Sequence, residues 1–228
     1  LLIAAVLITA VLVLAQDQET LRVRTPLTAN DPQFPGYLAH LLGGPLTSGN
    51  VYVVHTDGKA AFPAMLAAIA GARRRVSFET YVYESGETAD MFTAAFEAAA
   101  LRGVDVRLVL DSIGAKKIDP AHVTRLKNAG CQVVWFNQVN GFEIQEVNYR
   151  THRKSLVVDG TVAFVGGIGV GDAWLRDTER GPAWRDTQIE VRGPAATYIE
   201  GSFNENWIES GEGVEPAGPA NEAAAGGS

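Results

Sequence analysis

The chain has 228 residues and a formal net charge of −7, with 46% hydrophobic and 20% charged side chains. This is the make-up of a globular protein with a real core, and its acidity argues against a general nucleic-acid binder. The single cysteine, Cys131, excludes an intrachain disulfide and a cage of thiolates around a metal.

Leu1 to Ala15 is apolar apart from Thr9 and shows no polar face. At about 1.5 Å per residue it is short for a hydrocarbon core of roughly 30 Å. It is read as the core of a signal peptide, with Val13-Leu14-Ala15 as cleavage site, or as part of a membrane anchor. Either reading delivers the protein to the cell membrane or its periplasmic face. Residues 16–50, broken by Pro26, Pro32, Pro35, Gly43, Gly44 and Pro45, read as a loop-rich lead-in.

A catalytic unit is expected over 51–210. Val51–Val54 is a strand candidate, followed by a turn at His55-Thr56-Asp57-Gly58. Phe62 to Ala72 carries helical spacing, with Pro63 tolerated in a first turn. Arg75 to Tyr83 is rich in strand formers, and Thr88 to Arg102 is a helix stopped by Gly103. Val104 to Leu110 alternates with period two, the mark of a half-buried strand. Pro120 to Ala129 predicts a helix and Gln132 to Phe136 a strand. Ser155–Val158 and Val162–Val165 flank the hairpin dipeptide Asp159-Gly160. Gln188–Val191 predicts a strand and Ala195 to Ile208 a helix. The Gly-, Ala- and Glu-rich stretch 211–228 reads as a flexible linker or tail. Strands alternating with helices predict an α/β fold, an α-β-α sandwich around a mixed, largely parallel sheet.

The chemistry concentrates in "YRTHRKSLVVDGTVAFVGG" (149–167), where His152, Lys154 and Asp159 stand as H-x-K-x4-D. In an extended segment alternate side chains share a face, so His152 and Lys154 point the same way. A neutral imidazole is a competent nucleophile near pH 7. An ammonium beside it neutralises charge building on non-bridging phosphate oxygens. Asp159, in the hairpin turn, is expected to brace backbone N–H groups rather than move protons. A nucleophilic histidine needs an orienting partner, and Asp186, just before the strand at 188–191, is the candidate. Arg150 shares the face of His152 and is placed to attract phosphate.

This stretch resembles the HKD motif of the phospholipase D superfamily. "FETYVYESG" (78–86), "RGVDVRLVLDSIGA" (102–115), "AWRDTQIEVRGPA" (183–195) and "FNENW" (203–207) extend the resemblance to bacterial cardiolipin synthases, over roughly residues 50 to 208. The resemblance implies phosphatidyl transfer without metal or other cofactor, through a phosphohistidine. On that likeness His152 is nucleophile or acid/base, Lys154 the phosphate clamp, Asp159 a structural carboxylate and Asp186 the carboxylate orienting the histidine. Glu79 is expected to line the site. Gly167 and Gly169 belong to a glycine-rich turn whose backbone amides contact the anion in place of an asparagine that many members carry where Gly169 stands.

One H-x-K-x4-D occurs in the chain; His40, His55 and His122 are not followed by lysine two residues on. The resemblance implies a second motif that supplies the other proton-transfer group. It is expected from a missing C-terminal half, with a homodimer as the alternative. The partners implied are a phospholipid and the membrane, with no nucleic acid. Hydrolysis by water, as a phospholipase or nuclease, is the competing activity, and a non-catalytic half-site holding anionic lipid is the competing class.

Overall fold

The computed structural model describes residues 27–137, 150–179 and 181–211. The apolar stretch 1–15 and the tail beyond Gly211 lie outside the described residues. The chain divides into two units after Leu46. The first holds helix α1 (Phe34–Leu42) where the sequence suggested only loop. Pro35 sits in its first turn, where a missing N–H costs nothing. Gly43, at φ 65°, ends it in the left-handed conformation.

The second unit is built on a seven-stranded sheet. Its strands are β1 (Val51–Thr56), β2 (Arg75–Thr80), β3 (Asp105–Asp111), β4 (Gln132–Phe136), β5 (Ser155–Val158), β6 (Val162–Gly166) and β7 (Thr187–Arg192). They lie in the order β1-β7-β6-β5-β2-β3-β4. The helices are α2 (Asp57–Gly71), α3 (Glu87–Leu101), α4 (Pro120–Asn128) and α5 (Ala195–Glu209).

The sheet is mixed, but parallel pairing is confined to β2–β3 and β3–β4, the strands joined through α3 and α4. The remaining pairs are antiparallel, so "largely parallel" holds for one side only. The reason is connectivity: a helical crossover returns the chain in the same direction, whereas a tight turn reverses it. The β5–β6 turn is such a reversal. Asp159 at φ 53° and Gly160 at φ 69° supply the two positive dihedrals that a two-residue hairpin needs.

Two further expectations change. The turn at 55–58 is absent, because β1 continues to Thr56 and α2 begins at Asp57, whose φ of 65° makes the corner. Pro63 consequently falls inside α2 rather than in its first turn.

The strands' period-two pattern feeds two cores. On one face Phe62 and Met65 of α2, Phe92 and Phe96 of α3 and Leu126 of α4 close over Val76, Phe78, Leu108, Leu156 and Phe164. On the other, Phe203 and Trp207 of α5 cover Val109 and Phe136. Each such fully buried side chain contributes about 1.5–3 kcal/mol. The sandwich matters for function because β5 runs antiparallel to β2, pairing Ser155 with Glu79. The entry to β5 therefore lies beside the C-terminal ends of β2 and β3.

Candidate active site

At that edge of the sheet His152 and Lys154 come together. The Lys154 ammonium lies 3.5 Å from Nδ1 of His152 and donates to the His152 carbonyl at 3.0 Å. Tyr81, just past β2, serves both: its ring centroid is 4.7 Å from that of His152 and 5.5 Å from the Lys154 nitrogen. His152 is exposed and Lys154 is only 8% exposed. Both line a cavity of about 320 Å³ with Ser155, Gly166, Ile199 and Ser202. The shared face read from the two-residue spacing is therefore present, and it is open.

Burial pushes the Lys154 ammonium below its ordinary 10.5, and the charges of Asp186 and Asp111 oppose that. A desolvated cation held among carboxylates gains strongly from an arriving anion, which replaces lost hydration.

Asp186 lies close enough to act on Lys154 electrostatically. Its Oδ2 accepts from the Trp174 indole Nε1 at 3.2 Å and its Oδ1 from the Thr187 N–H at 2.7 Å. Its backbone is locked to Asp57, N–H to Oδ1 at 3.1 Å and C=O from N–H at 2.8 Å. Among the described residues no hydrogen bond joins Asp186 to the His152 imidazole.

Gly167 is the floor beneath Asp186: a Cβ there would stand 2.3 Å from Oδ1. Gly169 is buried, and a Cβ on it would meet Val82 at 3.0 Å and Trp174 at 3.1 Å. Gly169 is thus a packing point against the tryptophan that holds Asp186. Trp174 and Val82 fill the space a side chain at this position would need.

The remaining expected site residues fall behind the pair. Asp159 sits at the other end of β5, accepting the backbone N–H groups of Arg73, Arg74 and Arg75 at 3.0, 2.8 and 2.9 Å. It belongs to the motif in sequence and braces a different corner in space. Arg150 is turned from the cavity, donating to Ser112 Oγ at 2.8 Å and the Asn137 carbonyl at 3.1 Å. Glu79 is fully buried, accepting from the Thr151 hydroxyl and the Asn206 amide. Burial raises its carboxyl above 4.5 while those two hydrogen bonds pull it back. Asp111 caps the loop after β3 through Ile113 and Gly114 N–H groups at 2.9 and 2.8 Å. Its other oxygen takes the Thr151 N–H at 3.2 Å.

Tyr81, Thr151, Trp174 and Asn206 were not assigned to the site from the sequence. Only the adjacency of Thr151 to His152 and the place of Asn206 in "FNENW" hinted at them. Among the described residues no three His, Cys, Asp or Glu side chains group as a metal site.

The sandwich is the phospholipase D fold. It is similar to Nuc, a phospholipase D family member from Salmonella typhimurium (TM-score 0.54, 19% identity, 70% of this chain and 95% of that one). It is also similar to NucT from Helicobacter pylori (TM-score 0.56, 12% identity, 70% and 97%). The profile of the family described as "Cardiolipin synthase, PLD-like domain" matches residues 65–207, and the chain belongs to that family. Similar curated proteins include cardiolipin synthase 1 of Bacillus anthracis, 30% identical over 85% of this chain and 38% of its own length. Cardiolipin synthase of Alkalihalophilus pseudofirmus is 34% identical over 78% of this chain and 36% of its own. The chain therefore spans little more than a third of the length of these relatives.

Proposed function

We propose that the chain carries one catalytic half of a phosphatidyltransferase of the cardiolipin synthase type, acting on phosphatidylglycerol-like phospholipid at a membrane. The observation that carries this reading is the meeting of His152 and Lys154 at one open cavity, in a chain of this family. His152 attacks phosphorus and forms a P–N bond as the P–O bond to the leaving alcohol breaks. Lys154 holds the non-bridging oxygens, with the charge of Asp186 acting on its ammonium. A second acid/base group protonates the departing alcohol and later deprotonates the acceptor. We assign that group to a second H-x-K-x4-D segment, from further chain or from a second copy.

Among the described residues no helix is long and apolar enough to cross a membrane. Membrane delivery rests instead on the apolar stretch 1–15 and on a lipid substrate.

The test is product analysis on phosphatidylglycerol vesicles. Cardiolipin plus glycerol supports transfer. Phosphatidic acid alone makes water the acceptor. Binding without either product, unchanged by His152→Ala, replaces the enzyme with an anionic-lipid-binding half-site.

A further inference from the structure

His152 precedes β5, so no sheet ladder fixes its backbone; β5 pairing begins at Ser155. The segment is instead tied down at Thr151, which is 4% exposed. Its N–H donates to Asp111 at the end of β3, at 3.2 Å. Its hydroxyl donates to Glu79 of β2. Asn206 of α5 spends one amide hydrogen on that same Glu79 oxygen and the other on Thr151 Oγ1, at 3.0 Å. The three side chains form a closed ring in which every donor is used.

The arrangement is costly if packing were its only purpose. Among the described residues no cation touches the fully buried Glu79, on which Arg153 acts only at a distance, and its Oε2 has no hydrogen-bond partner. A buried carboxylate whose hydrogen bonds come from neutral donors is penalised relative to an apolar or amide side chain of the same shape. Glu79 holds Thr151, the residue next to His152, where small displacements matter most: a misplacement of about 1 Å costs on the order of 100-fold in rate. On the far side of His152, the Lys154 ammonium holds the His152 carbonyl at 3.0 Å.

We propose that Glu79, Thr151 and Asn206 are positioning residues for His152: the ring they form pins the chain immediately before the imidazole and sets the angle at which it meets the phosphodiester. The inference deepens the transfer reading and rests on it. None of the three touches substrate.

The experiment compares Thr151→Val, which keeps shape and loses the hydroxyl, with Thr151→Ser, which keeps the hydroxyl, and adds Glu79→Gln. Turnover on phosphatidylglycerol vesicles is read with the Hε1 resonance of His152 by NMR during titration with inorganic phosphate. Thr151→Val and Glu79→Gln are expected to lower kcat roughly 10- to 100-fold with KM within about 2-fold, and to shift or broaden the His152 resonance. Thr151→Ser is expected to stay within about 3-fold of wild type on the same reasoning. Folded Thr151→Val with wild-type kcat and an unmoved His152 signal overturns the proposal. So does Thr151→Ser failing as badly as Thr151→Val, or an effect confined to KM. Should Thr151→Val not fold, the Thr151→Ser and Glu79→Gln pair carries the same comparison. If His152→Ala leaves turnover intact, the transfer reading falls. The ring proposal is still judged then by whether the His152 resonance moves in Glu79→Gln.

Discussion

The two ends of β5 carry parts of one motif and have opposite characters. At the entry, an exposed His152 and a desolvated Lys154 face a cavity, with the lysine charge met by no hydrogen-bonded carboxylate among the described residues. At the exit, Asp159 is saturated by three backbone N–H groups and closes the hairpin onto the start of β2. One end stores electrostatic need, which a phosphodiester meets. The other spends its charge within the fold. A linear signature of histidine, lysine and aspartate is therefore two devices sharing a strand, and substitutions should separate them.

The largest separation is expected from His152→Ala, which removes the proposed nucleophile. Turnover should fall by about three orders of magnitude or more, with the melting temperature unchanged because the side chain is exposed. Lys154→Met keeps an unbranched side chain and removes the charge over the Tyr81 ring. We expect a loss of about 100- to 1,000-fold in kcat, with folding retained or improved since burial of the ammonium is relieved.

Gly167→Ala places a methyl 2.3 Å from Asp186 Oδ1 and forces that short carboxylate aside. A loss of roughly 10- to 100-fold in kcat is expected, with Trp174 fluorescence reporting the broken indole–carboxylate contact.

Asp159→Ala is the mirror case. It should leave kcat within about 2-fold while costing about 1–2 kcal/mol of stability, as loss of a backbone-capping side chain does.

The pH dependence of that brace follows from its sign. The three N–H groups hold the Asp159 carboxyl below 3.8 in spite of its partial burial. A carboxyl depressed on folding contributes stability above the unfolded value, and that contribution is lost as pH falls through the lower folded one. Wild type and Asp159→Ala should therefore differ in denaturant midpoint at neutral pH and converge as the pH is taken below 3.8 toward the folded value.

The sequence made the open end legible and left its support hidden, for a physical reason. Two-residue spacing in an extended segment determines which side chains share a face, so His152 and Lys154 were readable. The hairpin dipeptide made the bracing role of Asp159 readable too, since Asp-Gly needs positive dihedrals and a short acceptor. Strand and helix bounds such as Gln132–Phe136 and Ser155–Val158 follow from local pattern alone. The support is non-local. Glu79, Thr151 and Asn206 are far apart in the chain, and only the antiparallel pairing of β5 on β2, with α5 laid across, joins them. Arg150 was assigned to substrate from its shared face with His152, and Glu79 from the family resemblance. The structure instead turns the hydrogen bonds of both into the fold. Gly169 was read by what it lacks, and the structure gives it a use as the space that Trp174 occupies.

The central claim is that His152 takes the phosphoryl group onto its own nitrogen. The direct measurement is an alkaline quench of the protein during turnover on phosphatidylglycerol vesicles, then peptide mapping by mass spectrometry. An acid-labile adduct whose P–N bond survives base, carrying the phosphatidyl group or its deacylated remnant, is expected on the peptide with His152 and absent from His152→Ala. An adduct on another residue, or undiminished product formation by His152→Ala, would contradict it.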